Sequence, residues 1–287
     1  MPLRCGLDPA GAWLSRPARA RIREALALAQ ELSHPFILTG ALGAAAIFHQ
    51  LRREGQAAQE RAAAAITLST EQGFTYWLAL ETILRGWTLA ERGQGEEGIA
   101  QIRQGLDASR TMGVGLWRSH VLGLLAEAYG KVGQAEEGLS ALDEALAAVH
   151  ETGQRWYEAE VYRLKGELSL QSRQVADKSK TSQDRSKASP RQVKASLEHV
   201  ETSQDKSEVR SPEAEAEECF WKAIEVARRQ SARSFELRAV MSLARLWQQQ
   251  GKKEEAQQML AEIYGWFTEG FNTADLKDAK ALLEELS

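Results

Sequence analysis

Residues 93–106 read "GQGEEGIAQIRQGL", and residues 133–146 read "GQAEEGLSALDEAL". The two phrases stand 40 residues apart, and the spacing extends on both sides. Trp77 aligns with Trp117, Gly73 with Gly113, and Gly86 with Ala126. A further step of 40 brings Gly113 onto Gly153, Trp117 onto Tyr157 and Ala126 onto Gly166. Downstream, "RAVMSLARLWQQQGKKEEAQQMLAEI" repeats the grammar around Gly251, with Phe235 at the place of Trp117. Upstream, "AIFHQLRREGQAAQERAAAAITL" gives a weaker copy that centres on Gly55. A register found five times in one chain is the mark of a repeat architecture.

Each unit reads as two helices and a tight turn. Leu122, Leu125, Ala126 and Tyr129 fall at i, i+3, i+4 and i+7, one stripe of a helix. "KVGQ" follows, with Gly133 suited to the left-handed conformation that ends helices. Leu139, Leu142, Ala145, Leu146 and Val149 then line one face of the next helix. A lone hairpin cannot hide both of its apolar sides, so successive hairpins must stack. Gly86, Ala126, Gly166 and Ala244 occupy equivalent places. Glycine inside a helix costs about 1 kcal/mol against alanine, so close helix contact is expected there. The aromatic residues Trp77, Trp117, Tyr157 and Phe235 recur at helix starts, which favours packing between units over a ligand-binding ladder. The same packing role is expected of Leu243 and Trp247.

This grammar resembles the tetratricopeptide repeat (TPR). Leu122, Leu125, Ala126, Tyr129, Gly138, Leu142 and Ala145 occupy the pattern's places, as do Val240, Leu243, Ala244, Trp247, Ala256 and Leu260. A step of 40 against the usual 34 implies longer helices. The phrases "RWYEAEVYRLKGELSL", "AEECFWKAIEVARRQ" and "GWFTEGFNTADLKDAKALLEEL" are similar to the C-terminal repeats of large bacterial signalling proteins. There a class III nucleotide cyclase or a transcriptional activator domain precedes an AAA/STAND-type ATPase, and this chain looks like a detached or truncated tail. The resemblance implies an all-α, right-handed superhelix of about five hairpins, with an extra N-terminal helix and a C-terminal cap. It also implies a concave face that binds a protein or peptide, or sister domains. The inner-face places carry His49, Trp87, Glu127, Glu167 and Arg245, with Arg52, Glu91, His120, Lys131, Arg163 and Arg238 nearby. A sensor for a small effector held in that concavity is the second functional expectation.

Composition fits this frame. The chain has 287 residues, 43% hydrophobic and 26% charged, and a formal net charge of −4. That balance argues against a nucleic-acid surface, which normally carries a basic excess. Cys5 and Cys219 are too few for a disulfide framework or a thiolate metal site, and a reducing cytoplasm is the expected home. The start, "MPLRCGLDPAGAWLSRP", lacks a signal-peptide core. The greasiest run, residues 36–48, falls short of the roughly 20 apolar residues that cross a bilayer.

Chemistry is sparse. "GLLAEAYGK", residues 123–131, has six residues between its glycines where a phosphate loop has four. The five histidines form no His-x-x-x-His pair. The carboxylates of "GQGEEG" and "GQAEEG" recur with the turns, as expected of helix starts, where negative charge favours the dipole. No catalysis, metal or cofactor is expected.

The expected division is an irregular segment at 1–16, repeats at 17–170, a disordered insertion at 171–212, and a last repeat with its cap at 213–287. The insertion has no aromatic residue and abundant Ser and Lys, a composition that cannot offset ordering entropy. It reads as a tolerated loop or, on a functional view, a phosphorylated or basic docking arm. Order is expected to resume at Ser211-Pro212-Glu213, an N-cap, first-turn proline and acidic first turn. The final helix should bury Leu276, Ala279, Leu283 and Leu286 and turn Lys277, Lys280 and Glu284 outward.

Overall fold

In the computed structural model, which describes residues 16–113, 115, 117–187 and 211–287, the backbone turns left-handed at a regular stride. Positive φ occurs at Ser33, Arg53, Gly73, Gly93, Gly113, Gly133 and Gly153, then at Ser231 and Gly251. Each value lies between 50° and 84°, the region that terminates helices and that glycine enters without a Cβ penalty. The 40-residue repeat is thus two strides of 20, one per helix.

Twelve helices and no strand are found among the described residues. α1 (Arg16–Glu31) stands alone. Five hairpins follow: α2 (Pro35–Leu51) with α3 (Gly55–Gln72), α4 (Thr75–Glu91) with α5 (Gly95–Thr111), α6 (Arg118–Lys131) with α7 (Ala135–Thr152), α8 (Glu158–Lys187) with α9 (Pro212–Arg229), and α10 (Arg233–Gln249) with α11 (Lys253–Tyr264). α12 (Ala274–Leu286) closes the series. The even-numbered helices pack on one another in order from α2 to α12, so they form the inner layer, while the odd-numbered helices pack outside them. The expectation of an all-α stack of five hairpins, with one extra helix before and one after, describes this arrangement.

The stripes read from sequence meet in one continuous core. Leu122, Leu125, Ala126, Tyr129, Leu142, Ala145, Tyr157, Phe235, Leu243 and Ala244 are buried, while Trp77 and Trp247 pack against that core from its edge. Small residues stand where backbones approach. A Cβ on Gly86 would come within 2.6 Å of the Gly98 carbonyl oxygen, so α4 and α5 touch through glycine. Gly166 lies under the Phe220 ring and Gly123 under the Tyr157 ring. Gly40 likewise meets the Trp77 ring, so two of the four recurring aromatics, Trp77 and Tyr157, rest on glycines of adjacent inner helices.

Two expectations need correction. The first unit does not centre on Gly55. Its turn is at Arg53, with φ of 58°, and Gly55 is the first residue of α3. The stride from Gly93 lands on Arg53, so Ile47, not His49, holds the place of Trp87; the glycine signal misled because an arginine fills the left-handed position. The insertion also starts later than residue 171, because the α8 backbone continues as helix to Lys187. Helix formation needs only local hydrogen bonds and good formers, so a polar stretch can extend a helix that packing has already nucleated. The rest of that segment through residue 210, and residues 1–15 of the irregular start expected at 1–16, lie outside the described residues, while Arg16 opens α1.

The boundary at Ser211 does hold its expected chemistry. Its hydroxyl accepts the Ala214 backbone N–H at 3.2 Å, and Pro212 opens α9. Likewise α12 buries Leu276, Ala279 and Leu286, half-buries Leu283, and exposes Lys277, Lys280 and Glu284. Large apolar side chains are nonetheless exposed near both ends of the stack, Trp266 and Phe271 just before α12 among them. Leu28, Leu32, Phe36 and Ile37 of α1, α2 and their turn are roughly half exposed.

Candidate functional site

The stride decides which inner-layer side chains meet. Residues 40 apart occupy the same height on successive inner helices, and several pairs form rungs. The Trp87 indole N–H donates to the Glu127 carboxylate at 2.9 Å. Lys131 pairs with Glu91 at 3.0 Å. Arg238 pairs across α8 and α10 with Glu160 at 3.2 Å. Between α6, α8, α10 and α12 lies a cleft of about 290 Å³.

Of the eleven inner-face residues singled out in the sequence, Trp87, Glu127, Lys131 and Arg163 line this cleft, as do Glu167, Arg238 and Arg245. His49, Arg52, Glu91 and His120 do not. Arg52 is buried and bonded to Glu54 at 2.9 Å, and His49 meets the same carboxylate at 2.6 Å. His120 is fully buried, with its Nε2 at 2.9 Å from the Gln50 amide oxygen. Trp87 reaches the cleft wall while only 1% exposed. Trp87, His120 and Arg52 are therefore structural members of the inner layer and offer little to a ligand. The reason is geometric: adjacent inner helices contact each other, so the face that a wide superhelix would leave open is partly spent on packing.

The floor of the cleft is a charged network. Arg163 grips Glu160 with two bonds of 2.8 and 3.0 Å and reaches Glu167 at 2.6 Å. The Ser242 hydroxyl donates to Glu167 at 2.7 Å. Arg238 donates to Asp275 at 2.9 Å and also to the Leu51 carbonyl oxygen. Burial alone would raise the Glu160 carboxyl, but Arg163 and Arg238 pull it down to about 2. Burial pushes Glu127 up, aided by Glu91 and opposed by the Trp87 hydrogen bond. Burial lowers His120 to about 3 despite nearby Glu160, so its imidazole is neutral. Arg245, by contrast, is exposed and has no ion-pair partner among the described residues.

Arg53, Glu160, Asp275 and Asp278 also line the cleft, and the sequence reading missed them. A signal existed for the last two. The stride carried past Phe235 and Arg238 lands on Asp275 and Asp278, where acids stand at inner-layer places of the cap. Among the described residues no group of three or more His, Cys, Asp or Glu is placed to hold a metal ion. Residues 123–131 lie within helix α6, where backbone N–H groups are engaged, and form no phosphate loop. No helix of the described residues is long and apolar enough to cross a membrane.

No protein-family model matches the chain. No curated protein matches it either. Among solved structures, one similar chain is a Podosopora anserina protein assigned as a kinesin light chain with nearly identical TPR-like repeats. It is 15% identical, covers 88% of this chain and 97% of its own, and has a TM-score of 0.46. A single-substitution variant of that protein is 15% identical over 81% of this chain and 95% of its own, with a TM-score of 0.48. The solved neighbours of this chain are TPR-like repeat proteins.

Proposed function

We propose that this chain is a non-catalytic interaction module, the C-terminal regulatory repeat region of a bacterial signalling protein or a piece detached from one. Its partners on this reading are proteins or peptides, foremost the ATPase and cyclase or activator domains of that longer protein, in the cytoplasm. The observation that carries it is a run of exposed large apolar side chains at the start of the stack. α1, the start of α2 and the turn between them leave Leu28, Leu32, Phe36 and Ile37 uncovered, and adjacent exposed large apolar residues mark interaction sites. α12 turns lysine and glutamate to water, as a terminal repeat must to stay soluble.

The small-effector reading draws support from one feature, the cleft of about 290 Å³ beside Arg245, which has no ion-pair partner among the described residues. Its size is at the lower limit for a ligand pocket, and its floor is saturated by the chain's own ion pairs, whereas such pockets are mainly apolar. The protein-binding reading is therefore favoured.

Affinity capture separates the two. Tagged wild type would be compared with Leu32→Glu/Phe36→Glu and with Arg245→Glu, each verified as folded by circular dichroism. Loss of the same partner bands in the end-face variant supports the module reading. Identical bands in all three samples, joined by a thermal shift with a nucleotide panel that Arg245→Glu abolishes, would overturn it in favour of the sensor.

A further inference from the structure

The two ends of the stack meet across the cleft. α12 packs along α10 and α11, but its acidic side chains reach the turn between α2 and α3. Arg53 pairs with Asp278 at 2.7 Å and lies 3.4 Å from Asp275. Arg238 ties Asp275 to the same turn through the Leu51 carbonyl oxygen. A third bridge joins Arg16 to Glu269.

These contacts form two tiers of different character. The Arg238 and Asp275 side chains are 9% and 1% exposed, whereas those of Arg53 and Asp278 are 47% and 41% exposed. A buried, multiply hydrogen-bonded pair is costly to break, because each charge left behind is desolvated. An exposed pair is worth little and exchanges readily with competing ions. The inner tier therefore anchors α12, and the outer tier is free to trade partners. Arg245, on the same cleft, has no carboxylate of its own among the described residues.

We propose that the mouth of the cleft is a docking place for an acidic peptide segment, whose carboxylates take Arg53 from Asp278 and engage Arg245. Asp278 is a built-in competitor that occupies Arg53 until such a segment arrives. The occupant's chemistry is argued from what the chain already seats there: two carboxylates, one turn apart on a helix, against arginine. The inference rests on the interaction-module reading and names the partner's charge.

Fluorescence anisotropy of labelled hexaglutamate against the full chain at low ionic strength tests it. Asp278→Asn should tighten binding several-fold, and Glu225→Gln, which removes an exposed acid on the distant α9, should not. Arg53→Gln and Arg245→Gln should each weaken binding, with thermal midpoints near wild type. Equal tightening by Glu225→Gln, or no response to Asp278→Asn, overturns the proposal, as does an equal effect on labelled hexalysine or oligothymidylate. Such a failure with partner capture through Phe36 intact would remove this site while leaving the module reading in place.

Discussion

Ser33 and Ser231 sit at stride positions where the chain otherwise uses Gly73, Gly113 and Gly153, and their φ values are 50° and 54°. An L-residue held left-handed costs roughly 1–2 kcal/mol. Ser33→Gly and Ser231→Gly should therefore each stabilise the fold by about 1 kcal/mol once glycine's greater unfolded freedom is counted; urea midpoints would measure it, and a fall in either midpoint would contradict the assignment. Glu81 poses the opposite problem. It is fully buried on α4 with neither carboxylate oxygen hydrogen-bonded, and burial raises its pKa well above normal. A raised carboxyl holds its proton in the fold and must be kept neutral, so it penalises folding above its unfolded value near 4.5, and the penalty fades as pH falls through that value. One and two units on, the same place holds Val121 and Val161, both buried. Glu81→Val should raise stability at pH 7 by roughly 1–3 kcal/mol, with the gain vanishing near pH 4. A pH-independent gain in thermal melts would point to packing alone.

The helices themselves were largely legible, because hairpin stacking imposes one period on the sequence and each stripe reports it. Where the period was carried by glycine it was read correctly; where Arg53 took glycine's place the register slipped by two residues. The α4–α5 contact was also foreseeable from Gly86, but not its partner Gly98, since nothing in the spacing says which outer-helix residue faces it. Gly86→Ala tests that contact. Helix propensity favours alanine by about 1 kcal/mol, whereas a Cβ 2.6 Å from a backbone oxygen and 2.8 Å from Ile102 forces the helices apart. Overpacking of that kind costs about 1–3 kcal/mol, so a net loss in thermal midpoint is expected. The cleft was only half legible. Sequence spacing places side chains on a face, but whether that face is open depends on how tightly the inner helices curve, which no local pattern encodes. That is why Trp87 and His120, read as exposed, are buried.

At the scale of the whole molecule, the charged inner layer sets the response to acid. Below its unfolded value of 6.5, His120 takes up a proton only when the chain unfolds, because the fold holds it down to about 3. Below about 4.5, Glu160 behaves alike, its folded value being about 2. Both favour the unfolded chain as pH drops. Buried Glu81 and Glu127, whose values are raised, work in the opposite sense over the same range. The comparison is therefore with His120→Gln: below pH 6.5 the wild-type thermal midpoint should fall relative to that variant, and parallel curves for the two proteins would remove the histidine from the account. The meeting of Arg53 with Asp278 carries a separate lesson about size. Stacking by itself sets no limit on length, since each hairpin needs only its immediate neighbours. Adding or deleting one 40-residue unit would preserve every local fit, yet it would swing the cap one step around the axis and part the two side chains. The census of repeats is thereby tied to a handshake between the chain's extremes, as the count of staves is tied to the girth of a cask.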